Sequence, residues 1–373
     1  MSCSTWDMAI RTIALTVAIC CTAALHAADK DPYENLSKQT RMDAIRVAQV
    51  WMPIETASLD LKAGPPMPGA FTPAQTITCD HFQKDSGGKT PKFWCRVSAE
   101  DEVKVKYGED NGEVYAEVAA TRLLWALGFG ADGMYPVTVV CRGCSADPFK
   151  DDPKASGRKA NADTSHTFDP AVVERQMAGD VMESRKDSGW GWVDLNSVDQ
   201  TRGGAPAAHR DALKLLAVFM QHSDTKPAQQ RLLCLDKSRG LPASADGSCT
   251  HPVMMLSDLG KTFGKANMFN KDNPGAVNLK AWTDSDIWRG DEGCVGDMDQ
   301  SFTGTLDRPK ISEEGRKFLA GLLTQLSDRQ IRDLFEVSQF ARRDKTSTVD
   351  DWVRVFKEKR EEITNRTCRA ATH

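Results

Sequence analysis

Four charged positions succeed one another along this chain in an order that could carry chemistry. Lys106 falls in the strand-like "VKVKYG" and Glu117 in the helical "GEVYAEVAATRLLWALG" that follows. Asp224 and Lys226 stand two apart in "MQHSDTKPAQQRLLCL", where an apolar helix breaks into a polar loop. Asp258 precedes a Leu-Gly pair in "MMLSDLGKTFG". Phosphoryl transfer needs such an inventory. A strand lysine holds phosphates and is itself held by a helix glutamate, a loop aspartate accepts the proton of the attacking hydroxyl, and a further aspartate with an amide holds magnesium. Carboxylate and amide oxygens suit Mg²⁺, which keeps part of its water shell. Gln229, five residues after Asp224, supplies the amide. Taken singly, an aspartate after a helix serves as a turn or cap residue, and a strand lysine belongs to a solvated face. Only the ordered set points to catalysis.

These residues need elements to position them. Residues 28–50 read as a helical lead-in. Short alternating runs at 51–61, 75–82, 92–97 and 102–108, separated by Gly/Pro clusters, read as strands. Residues 112–128 form the clearest helix of the first half, with Asp110 or Asn111 as cap and Gly128 just past its end. A strand "MYPVTVVC" follows, and "FDPAVVERQMAG" suits either a strand or a short helix. Residues 184–206 are loop-rich. "AAHRDALKLLAVFMQH" has the wide apolar face of a buried helix. "RLLCLD" and "HPVMMLSDLG" read as a hairpin, and three helices end the chain, one of them opened by a Ser327–Gln330 capping box. The expected fold class is therefore α+β, strand-rich first and helical afterwards.

The motifs resemble those of protein kinases. "HSDTKPAQ" is similar to the "HRDLKPEN" catalytic loop, and "SDLG" to the "DFG" metal motif. The lysine strand and the "EVAA…LG" helix resemble those of atypical kinases: the type II phosphatidylinositol 4-kinases, the HipA-type kinases and the secretory-pathway kinases of the Golgi casein kinase kind. The resemblance runs thinly over residues 50–340. It implies a two-lobed kinase-like fold, with an N-lobe of sheet plus Glu-bearing helix over 28–178 and a helical C-lobe over 179–373. It also implies ATP and Mg²⁺ between the lobes, held by Lys106, Glu117, Asp258 and Gln229. Asp224 would be the base, and Lys226 would steady the transferring phosphoryl group. The sequence departs from the pattern in three places: Gln229 stands for an asparagine, Leu259 for a phenylalanine, and the glycine-rich loop is not evident. "GPPMPG" at 64–69 is a weak phosphate cradle. The 34 residues from Asp224 to Asp258 (258 − 224) leave room for the hairpin.

Composition narrows the partners. The chain has 373 residues and a net charge of −4, which gives no basic face for nucleic acid. "TIALTVAICCTAAL" at 12–25 is too short to span a bilayer and suits a signal-peptide core, so residues 1–27 are expected to be removed, with Met8 as a candidate start. No other segment reads as a transmembrane anchor. Eight cysteines remain, an even number that suggests disulfides in an oxidising compartment. Eight cysteines allow 105 pairings. Proximity favours Cys79–Cys95 and Cys234–Cys249, with Cys141–Cys144 and Cys294–Cys368 completing the set. "CRGC" at 141–144 also has the form of a redox pair, but no helix follows it. No G-x-S-x-G or H-E-x-x-H occurs, and the histidines show no metal-ligand spacing. His222 is expected to fix the loop by hydrogen bonding, and "GWGW" at 189–192 to pack in a core or stack on sugar. The expectation is a secreted or periplasmic monomer that transfers the ATP γ-phosphate to an acceptor the sequence does not name. The alternative is a degenerate kinase fold that binds a ligand or partner, because export places the chain where ATP is scarce. A thiol–disulfide protein using Cys141 and Cys144 is the third reading.

Overall fold

Period-two burial organises the first half of the molecule. The computed structural model describes residues 33, 35–150, 164–184, 188–242, 244, 246–264, 276–290 and 293–368. The expected signal segment lies outside them. Residues 32–373 make one unit. Five strands, β1 (Gln75–His81), β2 (Lys92–Ser98), β3 (Asp101–Tyr107), β4 (Gly133–Arg142) and β5 (Ser165–Arg175), pair in the order β1-β2-β3-β5-β4. β1 also pairs with β4 in parallel, Ile77 opposite Val139, and this closes the strands into a barrel. The expected N-lobe sheet is thus a closed barrel, and closure leaves no unpaired edge among these five strands. Alternation sends Ile77, Phe93, Val103, Val105, Val137 and Val173 into the barrel interior, where they form one apolar cluster. Two disulfides, Cys79–Cys95 and Cys141–Cys144, lie in that interior with Cys95 Sγ 3.8 Å from Cys141 Sγ. The expected strand at 51–61 is not there. That segment holds a 3₁₀ turn at Thr56–Ser58 and a single bridge from Trp51 to Phe129, and its Thr56 and Leu59 carbonyls accept from the Gln330 side chain instead of a partner strand.

Part of the barrel's outer face, along β3, β4 and β5, is covered by a helix, while Thr76, Thr78, Asp80, Arg96 and Arg142 stay exposed. Helix α1 (Lys38–Val47) precedes the barrel, capped by Ser37. Helix α2 (Glu113–Ala126) is buried nearly all round, as a helix must be when it lies between two layers. Asn111 Oδ1 accepts from the Glu113 N–H at 3.2 Å, and Gly112 takes the cap position itself. Gly128 ends the helix at φ +83°, and a Cβ there would lie 2.3 Å from the Met52 carbonyl oxygen, so only glycine fits.

The second half is helical around a small sheet. The expected buried helix is α3 (Ala207–Phe219). Strands β6 (Asp180–Val181), β7 (Gln230–Cys234) and β8 (Pro252–Leu256) form a three-stranded antiparallel sheet, and Cys234–Cys249 closes the far end of the β7–β8 hairpin. Helices α4 (Leu279–Thr283), α5 (Glu313–Leu323), α6 (Asp328–Val337), α7 (Phe340–Arg343) and α8 (Val349–Asn365) complete the chain. Ser327 and Gln330 make the expected capping box of α6. Trp282, Phe335, Phe340 and Trp352 pack as one aromatic cluster under α3, and Trp282 Nε1 donates to the Phe219 carbonyl at 2.8 Å. Trp190 and Trp192 are buried, so "GWGW" packs in the core and offers no sugar-stacking face. Cys294–Cys368 ties the chain's end to the segment before α5.

Candidate active site

Strand alternation decides where Lys106 points. Val103, Val105 and Tyr107 of β3 face the barrel interior, so Lys104 and Lys106 leave its outer wall. There α2 covers Lys106 completely enough that it is 4% exposed. Its ammonium lies 2.5 Å from Glu117 Oε1 and 3.3 Å from Glu113 Oε2. One helical turn separates Glu113 from Glu117, which puts both on one face of α2. Thr90, in the loop between β1 and β2, donates to Glu113 Oε2 at 2.8 Å.

Asp224 and Asp258 meet because of a register. β7 and β8 pair with Gln230 opposite Leu256, so the residues just before β7 and just after β8 are neighbours in an antiparallel ladder. The N–H groups of Ser257 and Asp258 donate to the Gln229 carbonyl at 2.9 and 3.2 Å. The Gln229 side-chain amide donates in turn to Asp224 Oδ2 at 3.1 Å. Lys226 Nζ lies 3.2 Å and Lys261 Nζ 3.7 Å from that same oxygen. Behind the loop, Ser223 N–H donates to the Lys261 carbonyl, and Thr305 N–H and Oγ1 both donate to the Thr225 carbonyl. The loop is thus pinned from two sides. The expected role of His222 is corrected: its ring is fully buried near Trp192, and neither ring nitrogen has a hydrogen-bond partner among the described residues. Burial pulls its pKa down to about 4, so it serves as a neutral packing group.

The charges of the site are coupled. Burial disfavours the Lys106 ammonium, but Glu117, Asp258 and Glu113 outweigh it and hold its pKa well above the lysine range. Asp258 is the ionised carboxylate. Burial opposes its charge, yet Lys106, the Gly260 N–H, Glu117 and Lys92 keep its pKa well below the usual carboxylate value. Glu117 is the carboxyl that yields, raised well above its usual value by burial and then by Asp258 and Glu113, against the pull of Lys106.

The structure therefore gathers all six sequence-derived residues into two linked groups: Lys106, Glu117 and Asp258 on one side, Asp224, Lys226 and Gln229 on the other. Sequence reasoning missed Lys92, Glu113 and Thr90. Lys92 opens β2 directly opposite Lys106, and its neighbours in charge are Lys106, Glu113, Asp258 and Glu117, with burial lowering its pKa first of all. The signal that could have found it is the "SGGKTPK" hairpin loop, whose Gly87 and Gly88 both have positive φ. The "GPPMPG" loop serves another end. Tyr135 Oη donates to the Pro65 carbonyl, and a Cβ on Gly64 would meet the Arg122 guanidinium at 2.8 Å, so it is a packing loop against α2.

The residues fit a magnesium–polyphosphate pair better than a metal alone. Among the described residues, the only groups of three candidate ligands that converge contain disulfide cysteines. Asp258 and the Gln229 amide are of the oxygen-ligand type that would hold Mg²⁺ where phosphates supplied the other ligands. All eight expected disulfide cysteines are paired, Cys141 with Cys144 among them.

No family model matches the chain, and no curated protein is similar to it. Among solved structures, a Helicobacter pylori proinflammatory kinase, CtkA, is similar over 77% of this chain and 99% of its own, at 11% identity and a TM-score of 0.38. That overlap is loose, and the reading of the site rests on its own geometry.

Proposed function

We propose that this protein is an atypical kinase-like phosphotransferase, with the barrel and α2 as N-lobe and the helical part as C-lobe. The observation that supports this best is the buried Lys106–Glu117 contact at 2.5 Å beside Asp258, on a hairpin that ties Asp258 through Gln229 to Asp224. Bound Mg²⁺–ATP would supply the phosphoryl group and neutralise its charge. Lys106, held by Glu117, presents its ammonium to phosphate oxygens. Asp258 and the Gln229 amide oxygen would hold the metal. Asp224 orients the acceptor hydroxyl and takes its proton, and Lys226 lends a positive charge where the transferring group gains negative charge. The four disulfides suit secretion or the periplasm. The acceptor class is open to protein, lipid, sugar or small molecule.

A second reading is a binding module on the same fold. It is favoured by the crowding of Asp224 Oδ2, which already faces Gln229, Lys226 and Lys261. An oxygen so occupied is a weak base. Thermal unfolding and ATP turnover separate the readings. Stabilisation by Mg²⁺–ATP that disappears in Asp258→Ala supports both, and turnover that disappears in Asp224→Ala supports catalysis. Binding without any turnover leaves the module. Absence of nucleotide binding in the wild type ends the phosphotransferase reading and leaves only a module for another ligand or partner.

A further inference from the structure

Lys92 has no task in the reading above, yet its setting is costly. It is 8% exposed. Its ammonium makes no ion pair within 4.0 Å and no hydrogen bond with the described residues. It stands directly across from Lys106 in the β2–β3 register, so the two side chains leave the same face of the barrel wall, where like charges repel. The carboxylates nearby are already engaged. Glu117 and Glu113 hold Lys106, and Thr90 occupies Glu113 as well. A buried cation with no direct partner, balanced only at longer range by Glu113, Asp258 and Glu117, is retained against its desolvation cost where a ligand supplies the counter-charge.

The loop above it is shaped for that ammonium. Gly87 and Gly88 have φ of +61° and +70°, and a Cβ on Gly88 would lie 2.6 Å from Lys92 Nζ. Gly88 therefore lays bare backbone against the lysine head, where any side chain would collide with it, while a Cβ on Gly87 would meet nothing. Lys106 and Lys92 present two ammonium groups from adjacent strands, an arrangement that meets a chain of phosphates rather than a single anion.

We propose that Lys92 is a second phosphate-binding lysine, forming with Lys106 a two-ammonium clamp for the polyphosphate of a nucleoside triphosphate beneath the Gly87–Gly88 loop. The proposal rests on the kinase-like reading of the same site. It makes Lys92 a residue bound by the ligand, not a support of the fold.

The test is thermal unfolding and calorimetric titration of the full chain with Mg²⁺–ATP, inorganic tripolyphosphate and AMP. The wild type should be stabilised by the first two and much less by AMP. Lys92→Met should unfold at the wild-type temperature or higher without ligand, because it removes an unpaired buried cation. It should bind Mg²⁺–ATP and tripolyphosphate at least tenfold more weakly, and Lys92→Arg should recover most of that loss. If Lys92→Met does not fold, Lys92→Gln takes its place in the same titrations. Unchanged binding in these neutral variants overturns the proposal while leaving the kinase-like reading intact. So does an arginine variant that restores folding but not binding. A wild type that binds none of the probes overturns both.

Discussion

Lys106 is the only cation within ion-pair distance of Glu117 and Glu113 among the described residues. Its removal leaves buried carboxyl groups beside an ionised Asp258. Breaking a buried pair in this way costs about 3 kcal/mol. Lys106→Met should show that loss in urea unfolding at neutral pH, and the double variant with Glu117→Leu should recover most of it. Simple additivity of the two single changes would show that the pair is not coupled. Asp132 makes a different prediction. It is buried, it accepts from the Met177 N–H at 2.8 Å and from Arg231 at 3.0 Å, and burial raises its pKa to about 7 despite Arg231. A carboxyl raised in the folded state binds more protons there than in the unfolded chain, so its contribution to stability falls as pH rises from about 4 to about 7, by at most about 1.4 kcal/mol per pH unit. His222, lowered to about 4, has the opposite sign between about 4 and 6.5, since the unfolded chain then binds the extra proton. Both enter the wild-type slope with the other shifted groups, and the Asn variant removes only the Asp132 part. Asp132→Asn should therefore make stability rise more steeply with pH across this window than in the wild type. An unchanged slope would show that Asp132 is already ionised. Lys92 escaped the sequence reading because alternation names the residues of one face but not the strand that pairs across from it, and Glu113 because its first-turn position alone does not tell which side of the helix meets the barrel.

The elements place these residues through a few tight seats. The catalytic-loop candidate rests on Gly189, whose φ is +69° and whose added Cβ would lie 1.9 Å from the Pro227 carbonyl oxygen and 2.2 Å from that of Gln230. Both contacts are backbone, so nothing flexible can move aside. Gly189→Ala should cost 3 kcal/mol or more, as overlap adds to the strain of a left-handed alanine, on the order of the largest single-site effects. Gly203→Ala is the control. Its φ is +94° but nothing lies within 4 Å, so it should cost only about 1 kcal/mol. Equal losses in equilibrium unfolding would show that conformation alone governs both sites. Of the elements, β1, β2, β3, α2, β4, α3 and α6 were legible, since each has a clean period or a cap in its own sequence. The segment 51–61 looked like a strand because its apolar spacing is real, but its backbone bonds to side chains. "FDPAVVERQMAG" was ambiguous alone. Pairing of β5 with both β3 and β4 made it a strand, a choice that belongs to tertiary context.

At the scale of the molecule, the disulfides divide into long and short closures. Cys294–Cys368 spans 74 residues, and the loop-entropy relation gives it about 4 kcal/mol, against about 2 kcal/mol for Cys141–Cys144, which spans three. Replacing each pair by serine should reproduce that order in denaturant unfolding. A larger loss from the short pair would mean that its buried packing against Cys79–Cys95, not chain entropy, sets its worth. No helix among the described residues is long and apolar enough to cross a membrane.

The sequence by itself determined what is local: the alternation that turns Lys106 away from Val105, the caps of α1 and α6, the even cysteine count, and the order of lysine, glutamate and two aspartates. Tertiary structure alone decided that β1 pairs with β4 to close a barrel, that Lys92 stands directly across from Lys106, and that Gln229 joins Asp224 to Asp258. The reason is physical. Periodicity and capping are set by neighbours three or four positions away, whereas strand partners and buried charges are chosen by which faces meet across tens of residues, and only the folded chain brings those faces together.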